Sequence, residues 1–330
     1  MNTPGTLVIS IDFELMWGVR DHRTIDDYGP NILGVRTALP ATLELFEEFD
    51  IAATFATVGL LFARDKEEMK SASPAREPLY TDAHLSPFNG HFKQVGKDET
   101  DDPYHFAPAL IEVLKRYPQH EIGTHTFSHY YCLEPGQSVD EFDADLAAAV
   151  SIARTSGISL KSIVFPRNQF SEAYLAVCRK HGIICYRGNE AHWVHRPVPG
   201  SELTLLRRAV RLADHYINIT GHHTPQVSNS SGSMVNVPAS RFLRPYSPAL
   251  RLLDPLRLQR MRKSMTHAAT TGGVFHLWWH PHNFGVRQTE NLAVLRKLLQ
   301  HFSTLKAVHG MRNETMLQLA ERTQRQQGNG

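Results

Sequence analysis

Two carboxylates two residues apart, Asp12 and Glu14, follow the first apolar run of the chain. Side chains alternate with period two along a strand, so an extended backbone points both to one side. There they could hold a metal or divide acid–base work between them. A second group is His125-Thr-Phe-Ser-His129. On a helical turn this spacing brings Cβ atoms to about 5–6 Å, close enough for one metal ion. Along a strand the same spacing spans about 13 Å and is too long. Gly123 and Thr124 end a strand just before, so a turn is expected at His125. The spacing recurs in His276-Leu-Trp-Trp-His280, but inside a β-like apolar run that stops at Pro281, and the distance excludes chelation by that pair. Arg167 follows another apolar run directly and is placed to anchor a carboxylate by a bidentate bond. His280 has tryptophans beside it; a desolvated face lowers an imidazole pKa, which suits proton transfer or an internal histidine satisfied by backbone. His192, His195, His222 and His223 fall in expected loops with no carboxylate beside them, and read as surface or packing histidines.

These residues stand where short apolar runs end. Thr6–Ile11, Ala52–Val58, Glu121–Gly123, Ser162–Phe165, Ile183–Tyr186 and Val274–Trp279 read as strands. Between them, helices are expected over Val35–Phe49 with Pro40 in its first turn, Pro108–Tyr117, Ser138–Ser156, Ser171–His181 and Glu290–Phe302, and from an Asn313 cap to Gln324. Ser138-Val-Asp-Glu141 is a capping box. Repeated βα units imply a parallel sheet wrapped by helices, with its site at the C-terminal ends of the strands. One domain is expected over residues 1–320, with loop insertions near 71–105 and 222–263 and a polar, frayed tail at 321–330.

Composition narrows the function. Thirty-five basic against 33 acidic residues leave a net charge of +2 in 330 residues, which argues against nucleic-acid binding by the whole surface. Nineteen histidines outnumber the 16 phenylalanines and raise the expectation of a metal or acid–base site. Three cysteines, Cys132, Cys178 and Cys185, form no C-x-x-C pair, so neither a disulfide framework nor a thiolate zinc site is expected. The N-terminus has no Lys or Arg before its apolar run, and the longest apolar stretch, Ile51 to Ala63, is short for a membrane span. The expectation is a cytoplasmic, non-spanning protein.

In chain order the clusters read Asp-x-Glu at 12–14, Ala-Thr-Phe at 53–55, His-Thr-x-x-His at 125–129, Phe-Pro-Arg at 165–167 and His-Pro at 280–281. This order resembles the polysaccharide deacetylase family, which includes chitooligosaccharide and peptidoglycan N-acetylglucosamine deacetylases. The resemblance runs from Leu7 to about Gln318 and is most specific at His120–Tyr130. It implies an α/β fold, a distorted (β/α) barrel of about seven parallel strands in one domain with long insertion loops. It implies a divalent metal, zinc foremost, held by Glu14, His125 and His129. Glu14 takes the metal role because Phe13 stands where the family has its second aspartate. Asp12 is then the base, Arg167 orients it, and His280 is the acid that protonates the leaving amine. Asp214 is a candidate partner for His280, and Trp278 and Trp279 are assigned to substrate binding. The implied substrate is an acetylated amino sugar in cell-surface polysaccharide or glycolipid synthesis. The alternatives are an allantoinase-like amide hydrolase and an inactive carbohydrate-binding homologue.

One segment lies outside that resemblance. Arg241–Lys263 carries seven basic residues against the one acid Asp254, with six leucines interleaved. It reads either as a solvated amphipathic helix plus loop, or as a docking element for a phosphate-linked substrate, a nucleotide sugar or lipid-linked glycan, with peripheral membrane contact through 241–263.

Overall fold

The computed structural model describes residues 3–196, 204–227 and 234–328. Among them are nine strands: β1 (Thr6–Phe13), β2 (Thr54–Thr57), β3 (Glu121–Thr124), β4 (Ser162–Ile163), β5 (Cys185–Tyr186), β6 (Val235–Asn236), β7 (Arg241–Phe242), β8 (Val274–Trp279) and β9 (Arg312–Asn313). The helices are α1 (Ile25–Leu33), α2 (Val35–Glu48), α3 (Lys66–Ser71), α4 (His91–Gln94), α5 (Pro108–Lys115), α6 (Val139–Thr155), α7 (Glu172–Lys180), α8 (Leu205–Asp214), α9 (Asp254–Thr271), α10 (Gln288–His309) and α11 (Met316–Gly328).

All strand pairings are parallel, in the order β6-β5-β4-β3-β2-β1-β8-β7, with β9 beside the start of β1. β6 and β7 are the two ends of one extended run. The N–H groups of Val235, Val237 and Ala239 donate to Ile184, Tyr186 and Gly188, and those of Ser240 and Leu243 donate to His276 and Trp278. The run therefore crosses from β5 to β8, and seven staves surround the interior. This is the distorted (β/α) barrel of about seven strands that the sequence resemblance implied.

The strand period sorts side chains into two layers. From β1, Leu7, Ile9, Ile11 and Phe13 face the helices and join the main core, each at most 1 % exposed. Val8 faces inward with Ala56, Val164, Cys185, Val235, Val237 and Val274; α11 plugs that end with Met316, Leu319 and Ala320. A continuous apolar run such as TLVISI suits a strand covered on both faces.

The helix and strand ends differ from expectation by a few residues, as frayed and capped ends do. The Ser138–Glu141 capping box is present at the start of α6. Pro40 lies beyond the first turn of α2, which begins at Val35. The expected loop 71–105 holds a 3-10 turn and α4, and buries Tyr80, Leu85 and Val95. The second expected insertion, 222–263, instead supplies the stave that closes the barrel and the first half of α9. The tail is helical: α11 runs to Gly328, past the frayed start placed at 321. The helices α1 and α8 lie outside the helical segments expected from the sequence.

Candidate active site

The barrel parity explains the first motif. With Phe13 turned outward into the core, Asp12 and the following Glu14 fall on the inner side; they are 2 % and 3 % exposed. Glu14 sits one residue past β1, where the backbone leaves the sheet. The histidine pair follows β3 in a tight loop in which Thr126 and His129 have positive φ, 65° and 59°. Such backbone is costly for residues with a Cβ and persists only when the surroundings over-determine it. Here Asp145 of α6 does so: it accepts from the N–H of Phe127 at 2.7 Å, the N–H of Ser128 at 3.1 Å and the Ser128 hydroxyl.

That loop brings both imidazoles onto one oxygen. Glu14 Oε2 is 3.2 Å from His125 Nε2 and 3.0 Å from His129 Nε2. His125 Nδ1 faces the Val164 carbonyl at 2.7 Å, and His129 Nδ1 faces the Tyr131 hydroxyl at 3.2 Å. A histidine ligand is oriented in this way by a partner on its other nitrogen. Three donors on one tetrahedral zinc stand about 3.3 Å apart, given bonds of about 2.0–2.1 Å. The observed spacings match, so the residues present fit a divalent metal. Burial pushes His129 down to about 4, so it is neutral and its lone pair is available. Burial raises the Glu14 carboxyl, but His280 and hydrogen bonds from three histidines outweigh it and hold Glu14 well below the usual range.

The other oxygen of Glu14 is held too. Oε1 lies 3.0 Å from His282 Nε2 and 3.6 Å from His280 Nε2. His282 Nδ1 contacts the Tyr28 hydroxyl at 2.8 Å. His282 is therefore the half of His280-Pro-His282 nearer to Glu14, and Pro281 hides it in the sequence by breaking the strand alternation. His280 Nε2 is 3.7 Å from Asp12 Oδ2, and its Nδ1 is 3.2 Å from Asn283 Oδ1. Asp12 and His280 thus face the same space beside Glu14.

The arginine on Asp12 is Arg187, just past β5, and not Arg167. Arg187 donates to both oxygens of Asp12, at 2.6 and 2.8 Å, and to Ser10 and Asn168, both at 3.0 Å. Burial works against the Asp12 charge, yet the Arg187 guanidinium holds the carboxyl below its ordinary range. Arg167 pairs with Glu134 at 2.7 Å and with Asp21, and lies over the Tyr131 ring at 4.0 Å. Its left-handed backbone, φ 53°, turns it away from the sheet axis.

Three further expectations are corrected. Asp214 does not reach His280; it accepts from Arg241, from the Thr220 hydroxyl at 2.8 Å and from the N–H groups of Ile219 and Thr220. Trp279 is 1 % exposed and packs on Phe46 and Phe284 in the outer layer. Only Trp278 has the inward parity; its ring carries the Arg187 guanidinium at 4.3 Å. Finally, His195 does have carboxylates near it, Glu190 at 3.8 Å and Asp214, and its ring faces that of His223 at 5.5 Å.

Residues 23–186 match the family model of polysaccharide deacetylases, a span that includes His125, His129 and Asp145. The chain carries a polysaccharide deacetylase domain over those residues. Asp12, Glu14, Arg187 and His280 are outside or at the edge of that span, and it is the barrel that brings them to it. Solved structures share the fold. One from Mycobacterium smegmatis, assigned to the polysaccharide deacetylases, is 15 % identical with a TM-score of 0.60, covering 99 % of this chain and 92 % of that one. One from Pseudomonas aeruginosa PAO1, assigned likewise, is 10 % identical with a TM-score of 0.60, covering 97 % and 91 %. An allantoinase is 10 % identical with a TM-score of 0.57, covering 96 % and 89 %. No curated protein sequence matches the chain. By family it is a deacetylase-type hydrolase. Among the described residues, no helix is long and apolar enough to cross a membrane.

Proposed function

We propose that this deacetylase removes an N-acetyl group from an amino sugar during cell-surface polysaccharide or glycolipid synthesis, on the cytoplasmic side, with a divalent metal, zinc foremost. The reading rests on one observation above all: a single carboxylate oxygen, Glu14 Oε2, lies 3.2 and 3.0 Å from two oriented imidazole nitrogens, with Asp12 and His280 beside it. Glu14, His125 and His129 would hold the metal. When bound, such an ion supplies Lewis acidity toward water and toward the acetamide carbonyl.

The chain's own groups do the rest. Asp12, kept ionised by Arg187, takes a proton from the attacking water at Oδ2, the oxygen that faces His280. His280 gives a proton from Nε2 to the departing amine, and Asn283 holds its ring through Nδ1. His282 fixes Glu14 from the far oxygen, so that the carboxylate cannot swing toward Asp12. Trp278 offers an apolar face to the sugar ring. Acetate and a free amino sugar leave. Three buried cysteines without disulfides are consistent with a reducing compartment.

The test has two parts. His125→Ala and His129→Ala should each abolish stoichiometric zinc by mass spectrometry; full retention of metal would remove the assignment. Metal-loaded protein should release acetate from N-acetylated sugars and leave allantoin intact. Turnover of allantoin alone would make it a ureide hydrolase, and metal binding with neither turnover would make it a carbohydrate-binding homologue.

A further inference from the structure

A cavity of about 470 Å³ opens on the Asp12 side of the centre. Its floor is shared with that centre. Trp278 lies under Arg187, and the Phe242 ring packs on Trp278 at 4.7 Å and on His280 at 5.8 Å. The wall is basic, with arginines from α8 (Arg208 and Arg211) and from the segment after β7 (Arg244), as well as Arg167 and Arg241.

Not all of this charge is free. Arg241 is tied to Asp214, and Arg167 to Asp21 and Glu134. Arg211 donates its Nε–H to the Val194 carbonyl, and its outer nitrogens have no hydrogen-bond partner among the described residues. Arg208 and Arg244 have no acidic partner among the described residues. Glu190, the other carboxyl in the wall, is pushed up to about 7 by burial against the pull of Arg241, Arg187 and Arg211, so at neutral pH it cancels only part of the excess. His195 and His215 are pushed down by burial to about 4 and about 3, and add no charge at neutral pH. Three buried polar atoms of the lining, Trp278 Nε1, His195 Nε2 and Arg241 Nε, have no hydrogen-bond partner among the described residues. A cation at the His195–Asp214–His223 group would have to sit beside Arg241, which already occupies Asp214.

The same packing takes up part of the basic charge of the docking element expected at Arg241–Lys263. Arg241, Arg257 and Arg260 are each 3 % exposed and bonded internally, to Asp214, Asp254 or backbone carbonyls. Of the remaining basic residues of that segment, Arg244 lines the cavity, while Arg251 and Lys263 are exposed outside its lining.

We propose that this cavity is an anion subsite of the deacylating centre, and that the substrate is an N-acylated sugar phosphate ester. Its sugar ring lies on Trp278 and Phe242, and its phosphate lies among Arg208, Arg211 and Arg244. This rests on the deacylase reading and names its substrate class. A carboxylate is satisfied by one bidentate guanidinium, whereas a phosphate offers more oxygens to several guanidiniums at once. The sugar phosphate is either a soluble nucleotide sugar or a glycan linked to a polyprenyl phosphate. The exposed Leu205 and Leu206 on the same helix as Arg208 and Arg211 belong to the second case.

The experiment is titration of the intact protein, by calorimetry, with uridine diphosphate and with vesicles containing polyprenyl phosphate or phosphatidylcholine alone. At least one phosphate probe should bind, with affinity falling as salt rises. Arg208→Ala and Arg244→Ala should each weaken it about tenfold, the size expected from losing one charge-assisted contact. Arg208 is exposed, so that variant is safe for folding, and Lys306→Ala, on the distant α10, should bind as the parent does. Uridine diphosphate binding assigns the nucleotide source, and binding to polyprenyl phosphate vesicles alone assigns the lipid source. Failure of both probes, or equal affinity in the arginine variants, overturns the proposal. Acetate release from neutral N-acetylated sugars without phosphate binding overturns the subsite and leaves the deacylase reading standing. Phosphate binding with no acyl release from any sugar overturns the deacylase reading, and the substrate role of the cavity with it.

Discussion

At the scale of residues, the site depends on how each charged group is held. Asp12 stays ionised because Arg187 above all, with His125 and His280, offsets its burial. In Arg187→Met the burial remains and the largest part of the offset is gone, so the carboxyl must rise. The acid limb of the kcat/KM profile should then move up by a unit or more, with kcat reduced at least tenfold. An unmoved limb would separate Arg187 from the base. The two tryptophans make a second contrast. Trp279→Ala empties a core position and should cost about 3–5 kcal/mol of stability with KM little changed. Trp278→Ala should raise KM with a smaller loss of stability, as denaturant melts and steady-state kinetics would show. The histidine pair was legible from spacing because four residues of chain fix the reach of two side chains. Arg187 was not, since 175 residues separate it from Asp12 and nothing local marks it. Motif order pointed to Arg167, which is next to a strand but aimed elsewhere.

At the scale of elements, the loop that carries His125 and His129 is a strained turn pinned by a helix. Asp145 of α6 holds the backbone of Phe127 and Ser128, and burial pushes its own carboxyl up to about 6 despite those bonds. Asp145→Ala should leave two buried N–H groups without an acceptor, a loss of about 1–3 kcal/mol for each unsatisfied group. It should also weaken zinc affinity by roughly 10–100-fold, the usual range for removing outer support of a metal ligand. Competition with a chelator measures the second effect, and unchanged affinity would show that the loop needs no anchor. The capping box made α6 visible in the sequence, and its buried Asp145 is the reason the helix matters to the site. By contrast β6 and β7 are two residues each. Runs that short carry too little alternation to read, so the closing stave is not legible in the sequence.

At the scale of the whole molecule, the excess of histidine becomes a stability property. His276, His215 and His120 are pushed down by burial to about 3, 3 and 4. Their folded pKa values lie below the unfolded value, so as pH falls the unfolded chain takes up protons first. Stability should be complete above pH 6.5 and decline as pH falls toward 4, each such histidine contributing about 1.4 kcal/mol per pH unit in that window. Urea midpoints at pH 7, 6 and 5 should fall in order; a constant midpoint would mean that these rings are not neutral and buried.

The sequence by itself determined the fold class, the inner pair Asp12 and Glu14, and the close approach of His125 and His129. Those follow from strand period, helix caps and short-range reach, which are properties of a few consecutive residues. Tertiary structure alone decided which arginine grips Asp12, that His282 joins Glu14, which tryptophan faces the site, and where the basic charge goes. Each of those depends on which distant carboxylate or ring a side chain meets once the barrel closes. Burial turned Arg257 and Arg260 from a docking surface into internal ties, and left Arg208, Arg211 and Arg244 around a cavity beside the catalytic centre.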